Sequence, residues 1–224
     1  MLMRTVLITG FEPFDGEDIN PSWDAVKRFA PQFNATKVQD AKAVERSAAI
    51  HTLRLPVEFS RAFELLRTQI VSLRPDLVIA IGQAGGRSVL NLERVALNWV
   101  DARIADNAGI KPVMGKILPQ APAAYLSNYP ITAALRLLRE AHIPAEGSLS
   151  AGAFVCNALY FRLCHLQAEE FPLMQALFLH VPYAPAQVSQ RNLGYPSMDT
   201  AHVEAAIRIL LTLDSAEAEV SRTL

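Results

Sequence analysis

Two side chains in this sequence have the types and placement of a nucleophile and its base. Cys156 stands at the start of an apolar helical stretch, and His180 ends the apolar run Leu177-Phe178-Leu179. A thiol attacks best as a thiolate, which the exposed amide N–H groups and dipole of a helix N-terminus favour. A neighbouring imidazole would take the proton, and a carboxylate bound to that imidazole would orient it. Each residue also has a structural reading. Cys156 could be a small buried core residue, and His180 a satisfied histidine closing a buried strand. His51, His142, His165 and His202 have weaker claims, and Cys164, among Leu159, Phe161 and Leu163, reads as core.

Spacing alone does not choose the acid. Glu93 is attractive because it follows a glycine-rich loop and precedes the run Val95-Ala96-Leu97, where an unpaired carboxylate would be costly. A salt bridge to Arg94 or Arg103 would explain it as well. Gly85-Gly86-Arg87 could cradle a phosphate, yet it matches neither the dinucleotide fingerprint nor the P-loop. Close approach of backbone to a ligand accounts for the two glycines equally.

The elements that carry these residues alternate between strand and helix. Arg4–Thr9, Ile50–Leu55 and Ala176–Val181 read as strands, and Asp76–Ile81, with no polar alternation, as a central parallel strand. Arg94–Asn98 reads as a further strand. Helices are expected from Asn20-Pro21, with Asn20 as cap, over Glu58–Leu73, Ile131–Ala141 and Phe154–Gln167, and from Asp199 to Leu213. The stretch Asp101–Pro130 reads as irregular, functional or an interface element, with its apolar part Ile117–Pro130 as the contact surface. Glu217–Leu224 is expected to fray. This alternation predicts an α/β fold, a three-layer α/β/α sandwich on a mostly parallel sheet, in a single domain over residues 1–224. Ligands of such sheets bind beyond the carboxyl ends of the strands. The segments Gly10–Phe14, Gln83–Arg87, Ala151–Asn157 and His180–Tyr183 all reach that rim.

Bulk properties narrow the chemistry further. The 224 residues are 51% hydrophobic and 19% charged, with a formal net charge of -1, which gives a polyanion such as nucleic acid no foothold. No apolar run approaches the roughly 18 residues of a membrane helix. The N-terminal residues run straight into Gly10-Phe11-Glu12-Pro13, unlike a secretory signal. The two cysteines, eight residues apart on one helix, would lie about 12 Å apart along its axis, too far for a disulfide. Scattered histidines and no Cys-x-x-Cys argue against a zinc site. The expectation is a cytoplasmic protein with free thiols and no cofactor.

The segments together resemble pyroglutamyl peptidase type I. The resemblance rests on Val6–Phe14, Asn20-Pro21-Ser22-Trp23, Gly82–Arg87, Glu93–Asn98, Asp101–Ile104, Asp106-Asn107, Ala151-Gly152, Phe154–Asn157 and His180–Tyr183, in the family's order. It implies Cys156 as nucleophile, His180 as base and Glu93 as orienting acid. Peptides with an N-terminal pyroglutamate are then the substrates, cleaved through an acyl-enzyme by a metal-free homotetramer. Phe11 and Phe14 match the residues that flank the lactam ring, while Asn20, Gln83, Ile104, Phe154 and Val155 match other pocket positions. Arg103 and the Cys156 N–H match the oxyanion site. Ala105 and Asn91-Leu92 depart from the family's usual Pro and Thr-Pro, without touching a catalytic position. Two rivals predict differently. A phosphate-using transferase would not need Cys156, and a non-catalytic lactam-binding protein would bind without turnover.

Overall fold

The runs without polar alternation become the middle of one sheet. The computed structural model describes residues 4–33, 38–39, 45–46, 48–191 and 194–213; the expected fraying of Glu217–Leu224 lies outside them. The first half of the chain forms β1 (Arg4–Phe11), α1 (Pro21–Phe33), β2 (Val38–Gln39), β3 (Glu45–Arg46), β4 (Ala48–Leu55), α2 (Arg61–Leu73) and β5 (Leu77–Gln83). Then come β6 (Leu90–Glu93), β7 (Val95–Leu97), β8 (Ala124–Leu126), α3 (Ile131–Glu140), β9 (Ala145–Ser148) and α4 (Val155–Glu170). The last elements are β10 (Gln175–Val181), α5 (Pro185–Arg191) and α6 (Thr200–Thr212).

Six strands form the main sheet in the order β4-β1-β5-β10-β6-β9. β4, β1, β5 and β10 run parallel, β6 is antiparallel to β10, and β9 is parallel to β6. Alternation along each strand splits the core in two. Val6 and Ile8, Leu77, Ile79 and Ile81, and Leu177 and Leu179 face α1, α3 and α6. Leu7, Val78, Ala80, Ala176 and Phe178 face α2 and α4. The three-layer α/β/α architecture expected from the alternating pattern is therefore the one the chain adopts.

Local chemistry explains the junctions near the sheet's carboxyl end. Asn20 caps α1, with Oδ1 accepting from the Ser22 N–H at 3.1 Å and from Ser22 Oγ at 2.7 Å. Gly10 lets that helix start against β1, because a Cβ there would lie 2.7 Å from the Trp23 backbone.

Several elements differ from the sequence reading. The strand expected over Arg94–Asn98 is β7, which pairs with β8 in a separate ribbon, while β6, which ends at Glu93 in the main sheet, was not expected. Arg94 is the switch point, its N–H bonded to Ser148 O at 2.7 Å while its carbonyl accepts from Ser127 N at 2.9 Å. No glycine or proline marks this change of sheet. β8 lies inside the stretch expected to be irregular. Within that stretch Ile117, Leu118, Ala121 and Tyr125 are partly buried against the α2/α4 core, while Leu126 is exposed. β9, Ala-Glu-Gly-Ser, has no apolar run because it is an edge strand.

Candidate active site

The ends of β1 and β5, the last residues of β10 and the first turn of α4 surround one cavity of about 200 Å³. Phe11, Phe14, Asn20, Gln83, Phe154 and Val155 all line it, as do Cys156 and His180. Its aromatic wall extends outward, since Phe154 stands edge-on to Phe59 at 5.3 Å and 6.2 Å from Phe14. No aspartate or glutamate side chain lines the cavity.

Cys156 is the second residue of α4. The first intrahelical bond of this helix is from Ala158 N to Phe154 O, so the amide groups of Val155, Cys156 and Asn157 precede the hydrogen-bond ladder. Gly82 leaves room for the thiol: a Cβ there would sit 2.8 Å from Cys156 Sγ and 3.0 Å from the Phe178 ring. Gly82 is the register partner of His180 on the neighbouring strand. Thiol, glycine and imidazole are thus set side by side on the α4 face of the sheet.

The antiparallel pairing of β6 with β10 brings in the carboxylate. Asn91 lies opposite His180, so Glu93, two residues on and on the same face, is its diagonal neighbour. His180 Nδ1 and Glu93 Oε1 are 2.7 Å apart. Glu93 is fully buried and lies outside the cavity lining, behind His180. Arg87 Nη1 reaches the same Oε1 at 3.0 Å and its Nη2 donates to Ser150 O at 2.9 Å, in the loop before α4. Tyr160, one turn along α4 from Cys156, donates to the Glu93 carbonyl at 2.9 Å.

These contacts set the charges. Burial alone would raise the Glu93 carboxyl, but the hydrogen bond and charge of His180, with Arg87, hold it below its usual value. Glu93 is therefore the acceptor, Nδ1–H the donor, and Nε2 the imidazole nitrogen without a proton. Burial lowers His180, and Arg87 adds to this against the opposing pull of Glu93, so the imidazole is neutral at pH 7. Burial and the charge of Glu93 push the Cys156 thiol up to about 12, outweighing Arg87 and its own backbone N–H. Burial and the Glu93 anion thus act against the lowering expected from the helix N-terminus.

Two expected residues are not brought to the cavity. Arg103 is exposed, its guanidinium 4.0 Å from Asp15, and Ile104 does not line it. Arg87, of the segment Gly85-Gly86-Arg87 read as a possible phosphate cradle, lines the cavity while bonding Glu93 and Ser150. Tyr160 and Gln187, whose Nε2 donates to Gln83 Oε1 at 3.0 Å, were not singled out from sequence, Arg87 was read only within a possible phosphate cradle, and Asn157 only as the end of a rim segment. Asn157 accepts from Leu97 N at 3.0 Å and donates to the carbonyls of Leu97 and Trp99, at 2.9 and 2.8 Å. Its position beside Cys156 was the only available signal. Among the described residues no three or more His, Cys, Asp or Glu group as metal ligands would, and no helix is long and apolar enough to cross a membrane.

A thiol at a helix N-terminus, an imidazole on the next strand and a buried carboxylate behind it are the parts of a cysteine hydrolase on an α/β sheet. Comparison with known proteins narrows this class. The family profile described as pyroglutamyl peptidase matches residues 4–216. A pyrrolidone-carboxylate peptidase of Levilactobacillus brevis is 42% identical over 210 residues, 92% of this chain and 97% of the relative. Pyrrolidone-carboxylate peptidase 1 of Ralstonia nicotianae is 44% identical over 93% of this chain and 92% of its own length. Among solved structures, the pyrrolidone carboxyl peptidase of Thermococcus litoralis superposes with a TM-score of 0.85 at 35% identity, covering 98% of this chain and 97% of that one. Pyroglutamyl peptidase I of Bacillus amyloliquefaciens gives 0.84 at 37% identity, over 96% and 97% of the two chains. The chain belongs to the pyroglutamyl peptidase family and is a hydrolase.

Proposed function

We propose that this protein is a cysteine exopeptidase that hydrolyses the amide bond after an N-terminal pyroglutamyl residue of peptides. Cys156 is the nucleophile, His180 the base and Glu93 the orienting acid. The observation that carries this reading is the His180–Glu93 hydrogen bond, 2.7 Å long and buried directly behind the cavity that Cys156 lines. It fixes the tautomer in which Nε2 can accept a proton.

As Sγ bonds to the scissile carbonyl carbon, its proton passes to His180 Nε2 and the π electrons move to oxygen. The amides at the start of α4, that of Cys156 foremost, are the donors for this oxyanion. Arg103 would join them by leaving Asp15. The imidazolium then protonates the leaving amine, the C–N bond breaks and a thioester remains. Water, deprotonated by His180, hydrolyses it and restores the thiol. Because the resting pair is neutral, proton transfer and attack are coupled. Arg87 shares the Glu93 charge and so limits how strongly the buried anion holds an imidazolium.

The cavity suits the substrate. Pyroglutamate is a flat neutral lactam without a free α-amine, and the lining offers aromatic walls and amides but no counter-ion for an ammonium group. The same reading makes residues 1–224 one catalytic domain, working as a homotetramer in the cytoplasm, where the free thiols Cys156 and Cys164 stay reduced.

The test is release of a chromophore from a pyroglutamyl amide, with and without iodoacetamide, followed by Cys156→Ser. Turnover abolished by both is expected. His180→Ala should lower kcat about 10²–10⁴-fold, as for loss of a general base. Turnover that survives in Cys156→Ser would overturn the proposal, and lack of turnover by the folded parent would leave the family's chemistry unproven for this chain.

A further inference from the structure

The buried carboxylate behind His180 is served at one oxygen only. Glu93 Oε1 meets both His180 Nδ1, at 2.7 Å, and Arg87 Nη1, at 3.0 Å. Its Oε2 is sealed from solvent and has no hydrogen-bond partner among the described residues. A buried anionic oxygen left unpaired costs more than an unpaired neutral group, so a donor within reach is drawn to it. Ser148 is placed to be that donor. The parallel pairing of β6 with β9 sets it directly beside Glu93. Arg87 Nη1 touches both side chains, with Ser148 Oγ at 3.4 Å. Hydrogen bonding to Ser148 is also among the causes that hold the Glu93 carboxyl down. The hydroxyl has one proton and two lone pairs. It accepts from the Ser150 N–H at 3.2 Å, and the Ser150 carbonyl also lies 3.2 Å away. That carbonyl already has a closer donor in Arg87 Nη2, at 2.9 Å, so turning the hydroxyl away leaves it paired.

We infer that Ser148 is a positioning residue: its hydroxyl turns from the Ser150 carbonyl to Glu93 Oε2 and holds the carboxylate charged and in line with His180. This rests on the proposed roles of Glu93 and His180 and deepens them. The pair is faced by Arg87 from the loop after β5 and by Cys156 and Tyr160 from α4. On β9, Glu146 accepts from Asn91 at 2.6 Å, and Arg94 lies against Gly147 on the other face. A donor on Oε2 spreads the negative charge, so an imidazolium at His180 is held less tightly and loses its proton at lower pH. With the hydroxyl gone, Glu93 pulls harder on that proton. The neutral imidazole that the mechanism needs then forms only at higher pH.

The experiment compares parent, Ser148→Thr, Ser148→Val and Ser148→Ala. Threonine and valine share one shape and differ in the hydroxyl. Two readouts are taken: the acid limb of kcat/KM with a pyroglutamyl amide, and the titration of the His180 imidazole by NMR, assigned by its loss in His180→Ala. Ser148→Val and Ser148→Ala should move both to higher pH by about one unit, the weight of one hydrogen bond to a charged group. Ser148→Thr should stay with the parent. In a Glu93→Gln background the threonine and valine variants should titrate alike by NMR, because no carboxylate remains to be held. A Ser148→Val enzyme that titrates with Ser148→Thr would overturn the inference, leaving Ser148 as a tie between β9 and the loop before α4. So would a difference between them that survives in Glu93→Gln. Ser148→Ala carries the comparison with the parent if Ser148→Val fails to fold. A parent that does not turn over the pyroglutamyl amide would instead count against the reaction itself, while the imidazole titration still decides the role of Ser148.

Discussion

Arg87 decides how the buried pair behind Cys156 responds to pH. Its guanidinium opposes the pull of Glu93 on the imidazole, and it also lowers the thiol. The groups that face His180 are Glu93 from β6, Arg87 from the loop after β5 and Cys156 from α4, so the sign of the change can be worked out. In the proposed mechanism activity requires neutral His180, hence kcat/KM falls as pH drops through the imidazole's pKa. Removing Arg87 lets that pKa rise, so Arg87→Gln should shift the acid limb of the kcat/KM profile to higher pH. Arg87→Lys, which keeps the charge, should move it less. An Arg87→Gln limb that coincides with the parent's would mean that the guanidinium only ties the Ser150 loop in place. None of this was readable in Gly85-Gly86-Arg87 as a string. The motif announced a rim loop, but the turn of Arg87 back onto a strand it does not pair with depends on tertiary packing.

The first turn of α4 is braced by its own third residue. Asn157 spends its amide on the Leu97 N–H and on two carbonyls, so it hangs the strand β7 and the chain at Trp99 from the helix that carries the nucleophile. Asn157→Ala leaves those buried backbone groups unpaired, at about 1–3 kcal/mol for each one left unsatisfied. A clear fall in Tm is expected, together with reduced kcat, because Cys156 moves with the turn. Unchanged thermal unfolding would show that water replaces the amide at no cost. Helices and central strands were legible because their apolar periods are unbroken: α2, α3, α4, β5 and β10 stand close to where the pattern puts them. Elements defined by partners were not. β9 is polar because it sits at an edge, α5 spans only two turns, and the β6/β7 break falls at Arg94 with no glycine or proline to mark it. The site shows the same division. Cys156 and His180 were visible by type and by rim position and Glu93 through the family resemblance, while the residues that orient them are ordinary side chains whose role exists only through contacts.

Several exposed apolar side chains cluster in one ribbon, and Leu126, in the stretch Ile117–Pro130 where an interface was expected, is exposed as well. Ile110, Val113 and Met114 are exposed, with Trp99 across the Val100–Gly115 bridge, and this ribbon is the natural contact for the proposed homotetramer. Light scattering should give four times the chain mass for the parent and a smaller particle for Met114→Asp; a parent that runs as a monomer would remove the tetramer from the proposal. Chain order adds a further consequence. β10, the strand that carries His180, lies between β5 and β6, yet it is made some eighty residues after them. A nascent chain on the ribosome therefore carries two unfilled strand edges where its catalytic centre will be. Imidazole, carboxylate and thiol come together only when β10, made after both of its neighbours, slides into that slot. Under the proposed mechanism, a fragment that stops before Gln175 would hold the nucleophile without its base, so insertion of β10 is the step that completes the site.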